Sequence, residues 1–513
     1  MPLTALLRRH AGRILAAALG VLTVAGYAPL YLFPLPLLTF AALFLLWQRA
    51  ADARTAAWLG FFFGLGWFGG GVSWVYISLH DFGAMPAPLA AAVTLLFCAY
   101  LALFPATAGY CSRGFSGHGW TLTPALRWVV IVPAIFTLLE WLRGWLFSGF
   151  PWLNPGYSQA PDSPLAGYAA ISGVHGITLL LLSTAGALAL ICMRPRPALR
   201  AVWPWPAALA VLWIIGAALK PLTWTEATGT TMSVSLLQGN IAQDMKWRED
   251  HLRETLDTYR RLALDSTSRL IILPETALPL FLRDVPATYL EELAAHARGN
   301  NADVLIGVPE RLPSGDYYNS VISIGSSGMQ TYRKNHLVPF GEFIPLRPLL
   351  GTLVSKLAIP LQDFARGDPN QQPLAVAGER VAINICYEDA FGEEIIRQLP
   401  QATVLVNVSN VAWFGRSVAP QQHLQIAQMR ALETGRYMLR ATNTGMTAVI
   451  NPRGSVEAIA PAFSRAVLTH TVPGMRGATP YVIWGNVAAL ALCLGLIAVA
   501  TLSARPRPPS VLK

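Results

Sequence analysis

Val381-Ala382-Ile383-Asn384-Ile385-Cys386-Tyr387-Glu388-Asp389 decides the fold. An apolar, β-branched run stops at a thiol followed by two carboxylates. That pattern reads as a buried strand delivering Cys386 to its C-terminal edge, where α/β sheets keep their chemistry. Of the five cysteines, Cys98, Cys192 and Cys493 lie in long apolar runs and Cys111 ends another. Cys386 alone falls in the long polar part of the chain, with no local disulfide partner and no CxxC spacing for zinc. A lone cysteine is most often an inert buried residue, so it needs company before it reads as a nucleophile.

Outward from Cys386, strand-like and helical stretches alternate. Met232–Leu237, Leu270–Pro274, Asp303–Val308, Ser320–Ile324, Val381–Ile385 and Thr403–Val408 are apolar and β-like, while Arg248–Ala263 and Tyr289–Arg298 have helical spacing with mixed charge. The alternation implies an α/β layered domain over 223–480, large enough at about 260 residues to bury its own core. Reactive groups follow the strand ends. Glu275 comes after Leu270–Pro274, Cys386 after Val381–Ile385, and Lys334 lies in Tyr332-Arg333-Lys334-Asn335-His336-Leu337-Val338-Pro339-Phe340-Gly341-Glu342. A thiol in contact with an ammonium and a carboxylate can perform acyl transfer. The carboxylate takes the thiol proton, and the ammonium, with the N–H of Tyr387, stabilises the oxyanion formed on the attacked carbonyl.

The rest of the chain is a membrane sequence. The full 513-residue chain is 53% hydrophobic and only 13% charged, with mean hydropathy +0.43, whereas soluble domains are nearer a quarter charged. The net charge of +10 does not indicate nucleic acid: Thr223–Pro480 holds 23 Lys/Arg against 24 Asp/Glu, so the excess belongs to the apolar segments and their loops. Eight candidate spans are read at Ile14–Ala28, Leu30–Trp47, Ala56–Ser78, Pro88–Tyr110, Trp128–Phe147, Leu165–Met193, Trp203–Leu219 and Tyr481–Leu502. The first follows Arg8, Arg9 and Arg13 and reads as a membrane helix rather than a signal peptide, because no small-residue cleavage site precedes a soluble domain. Basic residues recur on every second connection, as at Arg49/Arg54, Arg113/Arg127, Arg194/Arg196/Arg200 and Arg505/Arg507/Lys513. The positive-inside rule then puts both termini in the cytoplasm and the polar domain outside it. The expected plan is a membrane domain over 1–222, a catalytic domain over 223–480, and an eighth span with its tail over 481–513.

Two membrane features carry polar groups. Glu140 and Arg143, three apart, share a helical face and can pair within the bundle or hold a headgroup. Gly149-Phe150-Pro151-Trp152 with Asn154-Pro155-Gly156-Tyr157-Ser158-Gln159 reads as an outer-face aromatic turn of the kind that anchors at a membrane interface. Gly69-Gly70-Gly71 suits close helix packing. His336 and His423 read as structural hydrogen-bonders, and no His/Cys/Asp cluster has metal-ligand spacing, so neither a metal nor another cofactor is expected.

The domain resembles the nitrilase superfamily. Leu273-Pro274-Glu275-Thr276, Arg333-Lys334 with Pro339-Phe340-Gly341-Glu342, and Cys386-Tyr387-Glu388 match its triad neighbourhoods in order. More narrowly, the chain resembles the bacterial apolipoprotein N-acyltransferases. The seven-plus-one membrane plan matches, as do Gly64-Leu65-Gly66-Trp67-Phe68, Ser73-Trp74-Val75-Tyr76, the Pro151-Trp152 to Gln159 loop, and Gln238-Gly239-Asn240-Ile241 with Lys246-Trp247. The resemblance implies an αββα sandwich carrying a Glu275–Lys334–Cys386 triad at the outer face of the inner membrane. It implies ping-pong transfer of the sn-1 acyl chain of a phospholipid, typically phosphatidylethanolamine, through a Cys386 thioester. The acceptor is the N-terminal amine of a diacylglyceryl-cysteine apolipoprotein. Glu342, Tyr387 and Glu388 match positions that support the triad, and Trp247 one linked to substrate handling. A monomer is expected, with no nucleic-acid partner.

The apolar stretch Phe343-Ile344-Pro345-Leu346, continued by Leu349, Leu350, Leu353, Val354, Leu357 and Ile359, reads as a mobile lid over the lipid site or as an amphipathic helix packed on the domain. One departure stands out. The family pattern has Asn-x-Ser-Asn-Asp before Ala-Trp-Phe, whereas Asn407-Val408-Ser409-Asn410-Val411-Ala412-Trp413-Phe414 puts Val411 at the acidic position. That removes a carboxylate from the expected rim of the site and leaves the triad intact. Two other readings remain open on the residues alone. A membrane-tethered amidase or nitrilase would use the same triad and release product to water. A transporter or sensor with an outer binding domain should show internal repeats or several mid-membrane ionisable groups, and beyond Glu140/Arg143 neither is evident.

Overall fold

The computed structural model describes residues 3–114, 120–193, 202–246, 248–344, 363–503 and 505–506. The chain divides into two compact units: residues 1–76, 86–222 and 486–513, and residues 77–85 with 223–485.

The first unit is helical. Among the described residues, Ala87–Arg113 and Pro164–Cys192 are each long and apolar enough to cross a membrane, and Ala53–Gly71 with Val75–Phe82 makes a third if that bent pair is one span. His10–Gly26, Pro34–Arg49, Pro204–Leu219 and Val487–Leu502 are apolar but shorter. Among the described residues two to three helices therefore meet the full spanning length, and the other expected spans correspond to the shorter apolar helices or to interrupted stretches. Several of the expected spans are interrupted, Tyr481–Leu502 among them, which breaks at Gly485 between Pro480–Trp484 and Val487–Leu502. Ala56–Ser78 breaks after Gly71, where three consecutive glycines weaken the helix. Trp128–Phe147 opens in a π-turn over Leu126–Ile131 and leaves α-helix at Arg143.

Close helix approach falls to Gly60, Gly64 and Gly66, with Gly20, Gly109 and Gly186, rather than to Gly69. A Cβ on Gly64 would meet Ala102 and Pro105, and one on Gly66 the backbone of Ala17, while Gly69 faces open space. The aromatic turn is folded inward: residues 151–160 are all buried. Its carbonyls explain why. Arg143, itself buried, donates to the carbonyls of Phe150 and Trp152 and to Glu140, and the Tyr27 hydroxyl donates to the carbonyl of Leu153. The Glu140–Arg143 pair is thus a buried brace for that loop, its charges neutralised and its donors used internally.

The second unit is a four-layer sandwich. Its strands are β1 (Glu226–Gln238), β2 (Leu270–Ile272), β3 (Asp303–Arg311), β4 (Tyr317–Gly325), β5 (Gln330–Arg333), β6 (Leu374–Val376), β7 (Glu379–Ile385), β8 (Val404–Ser409), β9 (Met438–Thr442), β10 (Ala448–Ile450), β11 (Val456–Ile459) and β12 (Ala466–Arg476). They form two six-stranded sheets, ordered β12-β1-β2-β3-β4-β5 and β11-β10-β9-β8-β7-β6. In the first sheet β1, β2 and β3 run parallel; in the second β7, β8 and β9 do. Neighbours on either side pair antiparallel.

Alternation along the strands divides the core. Val234, Leu236, Leu270, Ile272 and Leu305 of one sheet pack with Val381, Ile383, Ile385, Val404, Val406 and Leu439 of the other. The opposite faces take helices. Leu237, Ile271, Val304 and Ile306 lie against Tyr259, Ala263 and Leu293 of the Glu249–Leu264 and Ala287–Gly299 helices. Ala382, Leu405 and Met438 lie against Leu424, Ala427 and Ala431 of the Ala419–Thr434 helix. Strands covered on both faces read as continuous apolar runs, which is what made them visible in the sequence. Each fully buried Val, Leu or Ile contributes about 1.5–3 kcal/mol, so this core fixes the strand ends rigidly.

Candidate active site

Glu275, Lys334 and Cys386 come from three such ends. After β2 the chain passes through Leu273-Pro274, and proline stops the ladder. The Pro274–Thr276 backbone then lies directly against Gly307 of β3; a Cβ there would collide with the Pro274 carbonyl and the Glu275 backbone. Lys334 follows β5, its backbone N–H donating to the Asn319 carbonyl of β4 (2.8 Å). Strand alternation turns Arg333 outward to Glu310 (2.8 Å) and Lys334 inward, where its side chain is 1% exposed.

Cys386 ends β7 with φ +54°. A left-handed conformation at a non-glycine residue costs on the order of 1–3 kcal/mol and persists only where its surroundings hold it. Here they do. The Cys386 carbonyl accepts from Asn407 Nδ2 (3.0 Å) and His423 Nε2 (3.2 Å). His423 Nε2 also lies 2.6 Å from Asp389 Oδ1, and Asp389 Oδ2 accepts from Arg440 (2.9 Å), all three side chains being buried.

The carboxylates converge on the lysine. Lys334 Nζ donates to Glu342 Oε1 at 2.8 Å and stands 3.7 Å from Glu275 Oε1. Asn319 Nδ2 donates to both, at 2.8 Å to Glu275 and 3.3 Å to Glu342. The second oxygen of Glu275 accepts the Asn410 backbone N–H (2.7 Å), and that of Glu342 accepts the N–H of Val338 (2.8 Å). Glu388 joins two of the loops. Its oxygens accept from the backbone of Asn335 (2.7 Å) and His336 (3.0 Å) beside Lys334, and from Ile385 N–H (2.7 Å) and the Tyr332 hydroxyl (3.1 Å). Tyr387 is buried, edge-on to Phe391 at 5.1 Å. His336 stacks on Phe391 at 3.6 Å and contacts Glu394 at 3.0 Å.

Electrostatics give these groups distinct protonation states. Burial, with Glu275 nearby, pushes the Cys386 thiol well above its usual range, only partly offset by Lys334, so it rests as a thiol. Burial alone would lower Lys334, but Glu342, Glu275 and Cys386 outweigh it and hold the ammonium charged. Burial raises Glu388 to about 7 against the opposing Ile385, His336 and Asn335 N–H donors and the Lys334 charge. His423 is lowered by burial and by Arg440, and rests as the neutral imidazole. The arrangement is a thiol needing a base at the moment of attack, beside a permanent cation suited to an oxyanion.

Of the residues expected from sequence, Glu275, Lys334, Cys386, Glu342, Tyr387 and Glu388 converge in this region. Trp247 and residues Pro345 to Ile359 of the expected lid lie outside the described residues. Val411 is fully buried rather than on a rim. Asn319 and Asn410, which orient Glu275, were not anticipated. Their signal is an amide set within or directly after an otherwise apolar strand, a position that demands a buried partner.

The model of the apolipoprotein N-acyltransferase N-terminal domain matches residues 19–187, and that of carbon-nitrogen hydrolases matches 233–481. The chain is 53% identical over 492 residues to an apolipoprotein N-acyltransferase of Nitrosomonas europaea, covering 95% of this chain and 96% of that one. It is 45% identical over 494 residues to one of Chromobacterium violaceum, covering 95% and 93%. Among solved structures it is similar to the C. elegans NitFhit protein, at 17% identity and TM-score 0.38, over 54% of this chain and 65% of that one.

Proposed function

The chain belongs to the apolipoprotein N-acyltransferase family, and from that premise we propose that it acylates apolipoproteins through Cys386 in two half-reactions. In the first, Cys386 Sγ attacks the sn-1 ester carbonyl of a phospholipid while Glu275 takes the thiol proton. Lys334 Nζ and the Tyr387 N–H bind the oxyanion. The C–O bond breaks, Glu275 returns the proton to the departing lysophospholipid oxygen, and a thioester is left on Cys386. In the second, the free α-amine of a diacylglyceryl-cysteine apolipoprotein attacks that thioester. Glu275 takes the amine proton, the C–S bond breaks, and the proton passes to the thiolate.

One observation carries the assignment: a buried lysine set between Glu275 and Glu342 within the field of a thiol that rests protonated. Glu342 anchors Lys334, and Glu388 ties the lysine loop to the nucleophile turn. Trp247 and the apolar segment after Glu342 handle lipid, keeping water from the thioester. The donor is phosphatidylethanolamine and the working form a monomer. The membrane segments 1–222 and 481–513 supply eight crossings of the inner membrane, the shorter helices among them. Both termini are cytoplasmic and the catalytic domain over 223–480 periplasmic, in line with the distribution of basic loops.

The test is intact mass spectrometry of the purified protein mixed with phospholipid, beside Cys386→Ala. A hydroxylamine-labile gain of one acyl chain, absent in the variant, is expected. An equal mass gain in both folded proteins, or none in either, would overturn acyl transfer through Cys386. Addition of a diacylglyceryl-cysteine peptide should then discharge the thioester onto the amine; release of free fatty acid instead would make the protein a hydrolase.

A further inference from the structure

Lys246 is a second buried lysine beside the triad, and the steps above do not use it. It lies on the loop after β1, is 2% exposed, and its Nζ donates to the Glu275 backbone carbonyl at 3.2 Å. Among the described residues that carbonyl is its one hydrogen-bond partner, so two of its three N–H donors have no protein acceptor there. A buried ammonium in that condition needs compensating negative charge close by.

The loop that holds it is fixed independently of the triad. Ile241 N–H donates to Asn443 Oδ1 (2.9 Å), Asn443 Nδ2 to the Ile241 carbonyl (2.7 Å), and Asn410 Nδ2 to Gln243 Oε1 (2.7 Å). Lys246 is therefore held where it is rather than drifting to solvent. Burial lowers it to about 8, while Glu275 and Cys386 act to keep it charged, so the ammonium is the form present at neutral pH.

The charge balance of the centre explains its presence. Glu275 and Glu342 both approach Lys334, within 3.7 and 2.8 Å. Two carboxylates sharing one buried cation leave an unpaired negative charge, which a buried site holds only at a cost unless a further cation balances it. A protonated Glu275 cannot accept the proton of Cys386 or of the incoming amine. We propose that Lys246 is a positioning residue of the acyl-transfer centre, the second cation that balances Glu275 and Glu342 and keeps Glu275 available as the base. With it the centre is neutral at rest. It is neutral again in the tetrahedral intermediate, where the proton has moved to Glu275 and the negative charge to the oxyanion.

The inference rests on the thioester reading given above. The groups facing Glu275 are Lys334 after β5, Glu342 in the following turn, Asn319 on β4, Asn410 after β8, Cys386 after β7, Arg440 of β9, whose charge is taken up by Asp389, and Lys246. Those facing Lys246 are Glu275 and Cys386, and on its own loop Asp244 and Arg248 are exposed.

The experiment measures the rate of the hydroxylamine-labile mass gain from pH 5 to 9 for wild type, Lys246→Gln, Lys246→Met and Lys246→Arg, with a thermal melt of each. Gln keeps an N–H for the Glu275 carbonyl and loses the charge; Arg keeps the charge. Expected are folded Gln and Met variants whose half-maximal rate moves upward by about one pH unit or more. Below the wild-type midpoint they are then about tenfold slower than wild type, and close to it at pH 9, with Arg returning the profile toward wild type. A uniform loss at every pH, or an unchanged profile in the folded Gln or Met protein, would overturn the proposal while the wild-type thioester still stands. Failure of the wild type to gain mass would overturn the thioester reading and this inference together.

Discussion

Replacing Glu388 by Gln tests how the two halves of the centre are held together. Each Glu388 oxygen accepts two donors: Oε1 those of Asn335 and His336, Oε2 those of Ile385 and Tyr332, at 2.7 to 3.1 Å. The amide –NH2 of Gln must face one of those pairs: against Asn335 and His336 it loses two hydrogen bonds, and against Ile385 and Tyr332 it loses at least the Ile385 bond, because the tyrosine hydroxyl can turn to accept. At pH 8 the carboxylate is ionised, above the value of about 7 to which burial raises it. Hydrogen bonds to a charged group contribute about 1.5–3 kcal/mol each, so the loss is about 2–6 kcal/mol. That is a large part of the 5–15 kcal/mol that holds a typical domain. At about 2–4 °C per kcal/mol for a unit of this size, the melting temperature should fall on the order of 10 °C. Activity should fall more than stability alone requires, because Asn335 and His336 adjoin Lys334 while Ile385 adjoins Cys386. A displacement of about 1 Å between cation and nucleophile costs on the order of 100-fold in rate. Thermal melts, and the rate of thioester formation by intact mass well below the melting point, read the two effects separately. A Gln variant melting within about 2 °C of wild type and acylating Cys386 at the wild-type rate would refute the idea that Glu388 clamps these loops.

Arg440→Met leaves Asp389 charged and buried without its cation, and should destabilise the protein by about 3–5 kcal/mol; chemical denaturation would show it, and a loss below about 1 kcal/mol would mean that the network is not coupled to folding. Lys246 makes stability depend on pH with a definite sign. Its folded value of about 8 lies below the ordinary 10.5, so between those values the unfolded chain binds more protons and stability rises with pH. The penalty is fully present below about 8 and amounts to about 3 kcal/mol at pH 7. Urea midpoints of wild type should therefore gain on those of Lys246→Met between pH 7 and 10, and a constant gap would contradict the burial of a charged lysine.

Local pattern carried a good deal of this protein. Apolar runs covered on both faces announce β1 to β4, β7 and β8, and charge-mixed periodicity announces the Glu249–Leu264 and Ala287–Gly299 helices, because those signals come from burial of the element itself. The same runs point at Glu275 and Cys386 as the groups on their ends. The second half of the catalytic unit was less legible. Arg440 interrupts the apolar pattern of β9, and β12 alternates half-buried with exposed positions; both pair into sheets only because a partner strand elsewhere in the chain meets them.

The first unit departs from expectation for a related reason. Hydropathy marks where the chain is apolar, but not where a π-turn or a glycine run divides an apolar stretch, nor that the aromatic turn is drawn inward onto Arg143. The composition of the site, three residue types after strand ends, was determined by sequence. Tertiary structure alone decided that Asn319 and Asn410 orient Glu275, that Glu388 joins the lysine loop to the cysteine turn, and that Lys246 stands in the same field. Apart from the local Ile385–Glu388 bond, each of those contacts spans residues far apart in the chain. No local periodicity encodes them; they exist because two sheets stack and bring their strand ends together.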